Sequence, residues 1–333
     1  MRRKVLTVFA RKMATVVSEG MAEKVKPMKI PMIDIGANLL DPMFRGVYRE
    51  KQRHESDFDL VLERAYDVGV EKIIITAGSK DEAGKCVELC QKDPERLFTT
   101  VGVHPTRCNE FDATTGDGSE YLAELVSICQ SGKIAGSVVA VGEFGLDYDR
   151  TQFCPMDVQK KCFDMQFALA EETGLPLFLH NRASSSDLIQ ILQKNRHAWE
   201  KAGGVVHSFD GTIEEMKTFV DMGLHIGING CSLRTEDSLN VVKEIPIDRL
   251  LVETDAPWCG IKNTHPGKKF VRTVWQEKKE KKFAMGTCVK NHCEPCHLIQ
   301  VVEVLAHLRA EDDVMEFGTK LRDNTEKLFF SNK

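Results

Sequence analysis

The stretch VVAVGEFGLD (Val138–Asp147) opens on four consecutive apolar residues and then delivers Glu143 and Asp147. A continuous apolar run of this length fits a strand buried on both faces, as in a parallel sheet. A carboxylate at the end of such a strand must be paired or put to use, because an unpaired buried charge is expensive. The same design recurs through the chain. IDIG (Ile33–Gly36), KIIITAG (Lys72–Gly78), FTTVGVHP (Phe98–Pro105) and PLFLHN (Pro176–Asn181) are further runs of the kind. GGVVHSFDG (Gly203–Gly211), HIGINGCS (His225–Ser232) and LLVETDAP (Leu250–Pro257) complete a set of eight.

Helical patterns lie between the runs. Ser56-Asp57 opens FDLVLERAYDVG, with Gly69 placed to end it. Further helices are predicted over about 80–93, 119–131, 156–173, 184–195, 212–222, 236–244 and 295–309. Eight strands alternating with eight helices predict an α/β fold, a (β/α)8 TIM barrel. An open doubly wound sheet is the competing arrangement, but no G-x-G-x-x-G follows the first run.

The ionisable residues gather where the runs end: Asp34, His104, Glu143, Asp147, His180, His207 and Asp255. A parallel barrel brings all those ends to one face, where such enzymes keep their active sites. Any single buried histidine reads most simply as a satisfied core group. Glu143, His180, His207 and Asp255 together, from four separate strands, make a mixed N/O donor set for a divalent cation. Mg²⁺, Mn²⁺ or Zn²⁺ suits it, as one or two ions, and donor softness does not separate them. Such an ion would acidify a bound water. Asp255 is then the general base, with Glu143 and His104 as further catalytic candidates. Arg182, Asn38, Ser208 and Asn229 leave the same strands and are the candidate substrate contacts; for Arg182 a surface ion pair is the competing reading.

Two other segments carry chemistry. GKKFVRTVWQEKKEKK (Gly267–Lys282) interleaves Phe270 and Trp275 with lysines, which suits phosphate and base contacts or simply a solvated loop. CVKNHCEPCH (Cys288–His297) brings Cys288, Cys293, Cys296 and His297 together like a zinc knuckle, without a second ligand pair at finger spacing.

Composition sets the outer limits. The 333 residues are 42% hydrophobic and 29% charged, which excludes disordered and collagenous chains. No run is long enough to span a membrane. Eleven scattered cysteines read as reduced intracellular thiols rather than a disulfide framework. Residues 1–29 hold eight basic residues and two acidic ones, a basic extension resembling an organelle-targeting segment. They carry +6 of a formal net charge of −5, so residues 30–333, expected to form a single domain, carry −11. That excludes a basic coat protein for nucleic acid.

Taken in order, DIGANL at Asp34, GVHP at His104, VGEFGLDYDR at Glu143, LFLHNR at His180, VVHSFDG at His207, IGINGCSL at Asn229 and ETDAPW at Glu253–Trp258 resemble the TatD-type metal-dependent deoxyribonucleases. EPCH at Glu294 extends the likeness to the last helix. The resemblance runs from about Ile33 to the C-terminus and is strongest to the eukaryotic branch, through DPMFRG, HPTRC and NGCSL. It implies a metal-dependent hydrolase barrel that cuts DNA, often from an end, with ligands at Glu143, His180, His207 and Asp255. Two departures stand out. Where many relatives carry H-x-H on the first strand, this chain has Gly36 and Asn38; where relatives carry R-N-E-P, it has His292-Cys293-Glu294-Pro295. The expected partner is DNA, with RNA as a second substrate, and neither a membrane nor an obligate protein partner. The expected location is the nucleus or cytoplasm, or a mitochondrion or other organelle if residues 1–29 act as a targeting signal. The alternative function is another metallohydrolase acting on a small phosphoester, ester or amide.

Overall fold

The computed structural model describes residues 29–113 and 118–331. Apart from Lys29, the basic extension lies outside the described residues. Eight parallel strands follow one another in chain order around one sheet. They are β1 (Met32–Ala37), β2 (Val70–Ile75), β3 (Leu97–Val101), β4 (Val138–Asp147), β5 (Leu177–Arg182), β6 (Gly204–Val206), β7 (His225–Ile228) and β8 (Leu250–Val252). Each pairs with the next in parallel register. The seam between β8 and β1 closes through a parallel bridge from Ala37 to Ala256. There the Asp255 N–H donates to the Gly36 carbonyl (2.8 Å) and the Asn38 N–H to that of Ala256 (2.7 Å). The chain is a (β/α)8 barrel, and the doubly wound alternative is excluded by that closure.

Nine α-helices longer than two turns pack around the described barrel: α1 (Phe58–Asp67), α2 (Lys80–Cys90), α3 (Ser119–Ile134), α4 (Met156–Thr173), α5 (Ser185–Lys194), α6 (Ile213–Asp221), α7 (Glu236–Glu244), α8 (Leu298–Leu308) and α9 (Val314–Phe329). Most predicted spans fall on these helices. The span 295–309 divides into a 3-10 turn, Pro295–His297, and α8. Ser56-Asp57 does start α1, but Asp57 makes no cap bond and spends its carboxylate on Arg64, 2.9 Å away. The sequence reading has no counterpart of α9. Asp313 caps it by accepting from Met315 N and Glu316 N, and Phe317, Leu321 and Leu328 form its buried stripe.

Helix α9 matters because it floors the barrel. Ile35, Ile74, Phe98, Val139, Phe178, Val205 and Leu251, one from each of seven strands, pack into a single cluster with Leu328 and Phe329 from its last turn. Burying side chains of this size contributes about 1.5–3 kcal/mol each. The interior is therefore solid below, and chemistry is confined to the opposite face, where the strands end.

Candidate active site

Glu143 is the hub of that face. It rises from β4 between Gly142 (φ +139) and Gly145 (φ +146), both in backbone conformations open to glycine. A Cβ at Gly142 would also sit 2.1 Å from the Phe178 carbonyl oxygen, so β4 can press against β5 there only without a side chain. Glu143 Oε1 lies 2.7 Å from His180 Nδ1 and 2.7 Å from His207 Nε2, and these two nitrogens are 3.4 Å apart. His104 Nε2 is 3.6 Å from the same oxygen. Three imidazoles from β5, the end of β6 and the loop after β3 thus aim at one buried carboxylate.

The supporting contacts fix these rings. His180 turns its Nε2 to Asp147 Oδ2 at 3.3 Å, and His104 Nδ1 meets Thr106 Oγ1 at 2.7 Å. His207 Nδ1 lies 3.4 Å from Glu253 Oε2. Glu253 is fully buried and also accepts from Ser208 N and from Asn229 Nδ2. Sequence reasoning quoted ETDAPW without giving Glu253 a role. Its signal was Gly36: a Cβ there would lie 2.6 Å from Glu253 Oε2. The space beside Gly36 is taken by the carboxylate of Glu253, which directly follows β8.

Asp255 reaches the same cleft by a different set of bonds. Its Oδ1 accepts from Asn38 Nδ2 (2.9 Å) and its Oδ2 from the Cys259 thiol (3.1 Å). Asn38 in turn accepts from Thr76 Oγ1 at 2.7 Å. Asn38 is therefore a positioning residue for Asp255. Asp255 and Ser208 both sit at φ +49, a left-handed backbone that side chains rarely adopt and that commonly accompanies functional loops.

Electrostatics divide these groups. Burial opposes ionisation of Glu143, but His207 and His104 beside it hold its carboxyl well below the usual range. Burial likewise opposes charging His207, yet Glu143 and Glu253 raise its pKa well above the ordinary value. His104 is pushed down to about 3 by burial and by the neighbouring His180. Burial lifts Asp255 to about 6, with Glu253 and Glu143 adding repulsion against the pull of His207.

The remaining sequence candidates separate. A cleft of about 700 Å³ is lined by Asn38, His104, Glu143, His180, Arg182, His207, Ser208 and Asp255, among others. Arg182 lies at its mouth but is paired with both Asp149 (2.8 Å) and Asp210, so the ion-pair reading applies. Asn229, predicted to touch substrate, is instead fully buried with its amide on Ser208 Oγ (2.8 Å) and Glu253. Asp34 sits within β1 rather than at its end, bonded across the seam to Thr254. Phe270 stacks on His307 of α8 (3.8 Å between ring centres) and Trp275 packs edge-on to His297 of the 3-10 turn before it, so both hold the lysine-rich loop against this segment. Cys288, Cys296 and His297 do come together, but Cys293 turns to the Thr254 carbonyl. Within that group His297 Nδ1 already accepts from Glu294 N at 2.9 Å. The eleven cysteines are thiols, nine of them buried.

A family model described as TatD related DNase matches residues 33–330. The chain belongs to the TatD family. It is 43% identical over 278 residues, 83% of this chain and 88% of the relative, to a deoxyribonuclease Tat-D of Schizosaccharomyces pombe. It is 34% identical over 303 residues, 90% of this chain and 99% of the relative, to a 3'-5' ssDNA/RNA exonuclease TatD of Pantoea sp.. A TatD family hydrolase from Entamoeba histolytica superposes with a TM-score of 0.84 at 38% identity, covering 91% of this chain and 99% of that one. This TatD protein is accordingly a hydrolase of the deoxyribonuclease type. No helix among its described residues is long and apolar enough to cross a membrane.

The donor set of this TatD protein fits a divalent cation. His104, Glu143 and His180 each offer a ligand atom within 4.8 Å of the others, and His207 Nε2 joins them through Glu143. The donors are imidazole nitrogen and carboxylate oxygen with no thiolate, the set that Mg²⁺, Mn²⁺ and Zn²⁺ share.

Proposed function

We propose that the chain is a divalent-metal-dependent nuclease that hydrolyses DNA phosphodiester bonds from an end, with RNA as a second substrate. The observation that carries this reading is the convergence of His180 Nδ1 and His207 Nε2 on Glu143 Oε1, each at 2.7 Å. Glu143, His180, His207 and Asp255 would hold the cation, with His104 beside them. A bound cation there supplies charge neutralisation at the scissile phosphate and a more acidic water. Asp255, whose carboxylate borders the same cleft, takes the proton of the attacking water. Asn38 keeps that carboxylate aimed, and Glu253 keeps His207 in one tautomer and orientation. His104, held neutral, has a ring nitrogen near Glu143 from which to contact a phosphate oxygen or the leaving group.

The names of the relatives support DNA as substrate and a 3'-5' exonucleolytic mode. Residues 30–333 act as one domain in this reading, and the protein works inside the cell, with residues 1–29 free to direct it to an organelle. The test is direct. Purified protein with Mn²⁺ or Mg²⁺ should shorten end-labelled single-stranded DNA, and chelator should stop it. Glu143→Gln and Asp255→Asn should each lose at least ~10³-fold in kcat, since each removes a ligand or the base from the reacting centre. Unchanged turnover in either variant overturns the mechanism.

One observation favours the small-substrate alternative. Arg182, one of three arginines lining the cleft, is already shared between Asp149 and Asp210. Faster turnover of a small phosphodiester than of any oligonucleotide would support that reading.

A further inference from the structure

Trp258 stands three residues after Asp255, and its N–H donates to the Asp255 carbonyl at 3.0 Å. Its side chain is 53% exposed, one of the few large apolar side chains left in solvent. It lines the catalytic cleft and also a second groove of about 690 Å³ on its other side. That groove is floored by Met43, Val47, Pro257 and Val289, with Tyr48 and His292 on its wall. Tyr48 is locked in place: its hydroxyl lies 3.3 Å from His292 Nδ1 and 3.2 Å from His54 Nε2. Exposed Arg49 and Lys290 stand at the rim. Of the groove's three acids, Asp41 caps Met43 N, Glu280 lies 3.9 Å from Arg53, and Glu50 is exposed beside Arg49.

An exposed indole beside a reacting centre, opening onto a groove lined by apolar and aromatic side chains, is the composition of a base-stacking platform. A base inside a duplex keeps its neighbours on both faces and has none to offer an indole. We infer that Trp258 stacks the base next to the scissile phosphate and guides the adjoining nucleotide into the groove beside Tyr48 and His292, selecting unpaired nucleic-acid ends. This rests on the nuclease reading above and adds to it the residue that recognises the substrate as single-stranded.

Two measurements on the full chain test it. In the first, Trp258→Ala should raise KM for a single-stranded oligonucleotide about tenfold or more, with kcat changed far less, and Trp258→Phe should recover most of the loss. Replacing the two terminal nucleotides by abasic ones should weaken the wild type to the level of Trp258→Ala and leave that variant little affected. In the second, oligothymidylate added to Glu143→Gln should quench tryptophan fluorescence, and the quench should vanish in Glu143→Gln/Trp258→Phe. An unchanged KM in Trp258→Ala, an equal abasic penalty in both proteins, or a quench that survives Trp258→Phe overturns the inference. Absence of hydrolysis by the wild type on any oligonucleotide would count against the nuclease reading alone, because the fluorescence measurement still reads stacking without turnover.

Discussion

His207 is held from both sides by carboxylates, and the one behind it belongs to Glu253: Nδ1 lies 3.4 Å from Oε2 of a side chain with no exposure at all. A carboxylate in that position fixes which imidazole nitrogen faces the cluster and strengthens it as a donor. Glu253→Gln should weaken Mn²⁺ binding about 10–100-fold while saturating metal restores much of the activity. Calorimetric titration of Mn²⁺ reads the first, and activity against metal concentration the second. Unaltered affinity would remove Glu253 from the site.

Gly36 is the other half of that arrangement. A methyl at this position meets Glu253 Oε2 at 2.6 Å and Phe178 Cζ at 3.1 Å. Gly36→Ala should push the carboxylate away from His207 and reproduce the metal-binding loss of Glu253→Gln. The two effects should not add when combined, because both act through one contact. A double variant whose loss equals the sum of the single losses would show that Gly36 acts elsewhere.

Asp34 gives a pH signature in stability. Burial pushes its carboxyl up to about 8 from an ordinary value of 3.8, against hydrogen bonds from Thr254 and Gly36. The folded chain therefore keeps the proton at pH values where the unfolded chain has released it. Its contribution is whole below the unfolded value, falls as pH rises through the window from 3.8 to about 8, and levels off above that. Asp34→Asn, uncharged throughout, should flatten this part of the curve of melting temperature against pH. Parallel curves for the two proteins would exclude the seam aspartate as the source.

Arg64 joins α1 to the 3-10 turn, Pro295–His297, that precedes α8. It lies 2.8 Å from Glu294 and 2.9 Å from Asp57, with all three side chains largely buried. Arg64→Met would strand two carboxylates, and breaking a buried pair from one side costs about 3–5 kcal/mol. Urea unfolding measures this; a loss under about 1 kcal/mol would mean that water reaches the carboxylates once the guanidinium is gone.

The eight strands were legible because strands buried on both faces leave continuous apolar runs. The convergence of Glu143, His180 and His207 was legible because these polar residues interrupt those runs at their ends, which a parallel barrel brings to one face. Helix α9 carried a stripe at Phe317, Leu321 and Leu328 that the alternating pattern of strand and helix had no slot for. Glu253 and Asn229 show a different limit. Both belong to polar stretches after apolar runs, and only the closed barrel reveals that their side chains turn inward to each other rather than toward substrate. The sequence also offers two aromatics in a lysine-rich run, and packing against His307 and His297 leaves them only partly exposed.

The bridge from Ala37 to Ala256 has a consequence for synthesis of the protein. Strand β1 leaves the ribosome first, yet its second neighbour is made more than two hundred residues later, and the floor at Leu328 and Phe329 later still. Until then the growing sheet has two open edges, the condition that invites mispairing with other chains. A translation product that stops before Asp255 therefore lacks a closed barrel and the last carboxylate of the cluster together. Such a fragment would expose open strand edges and lack Asp255 at the same time.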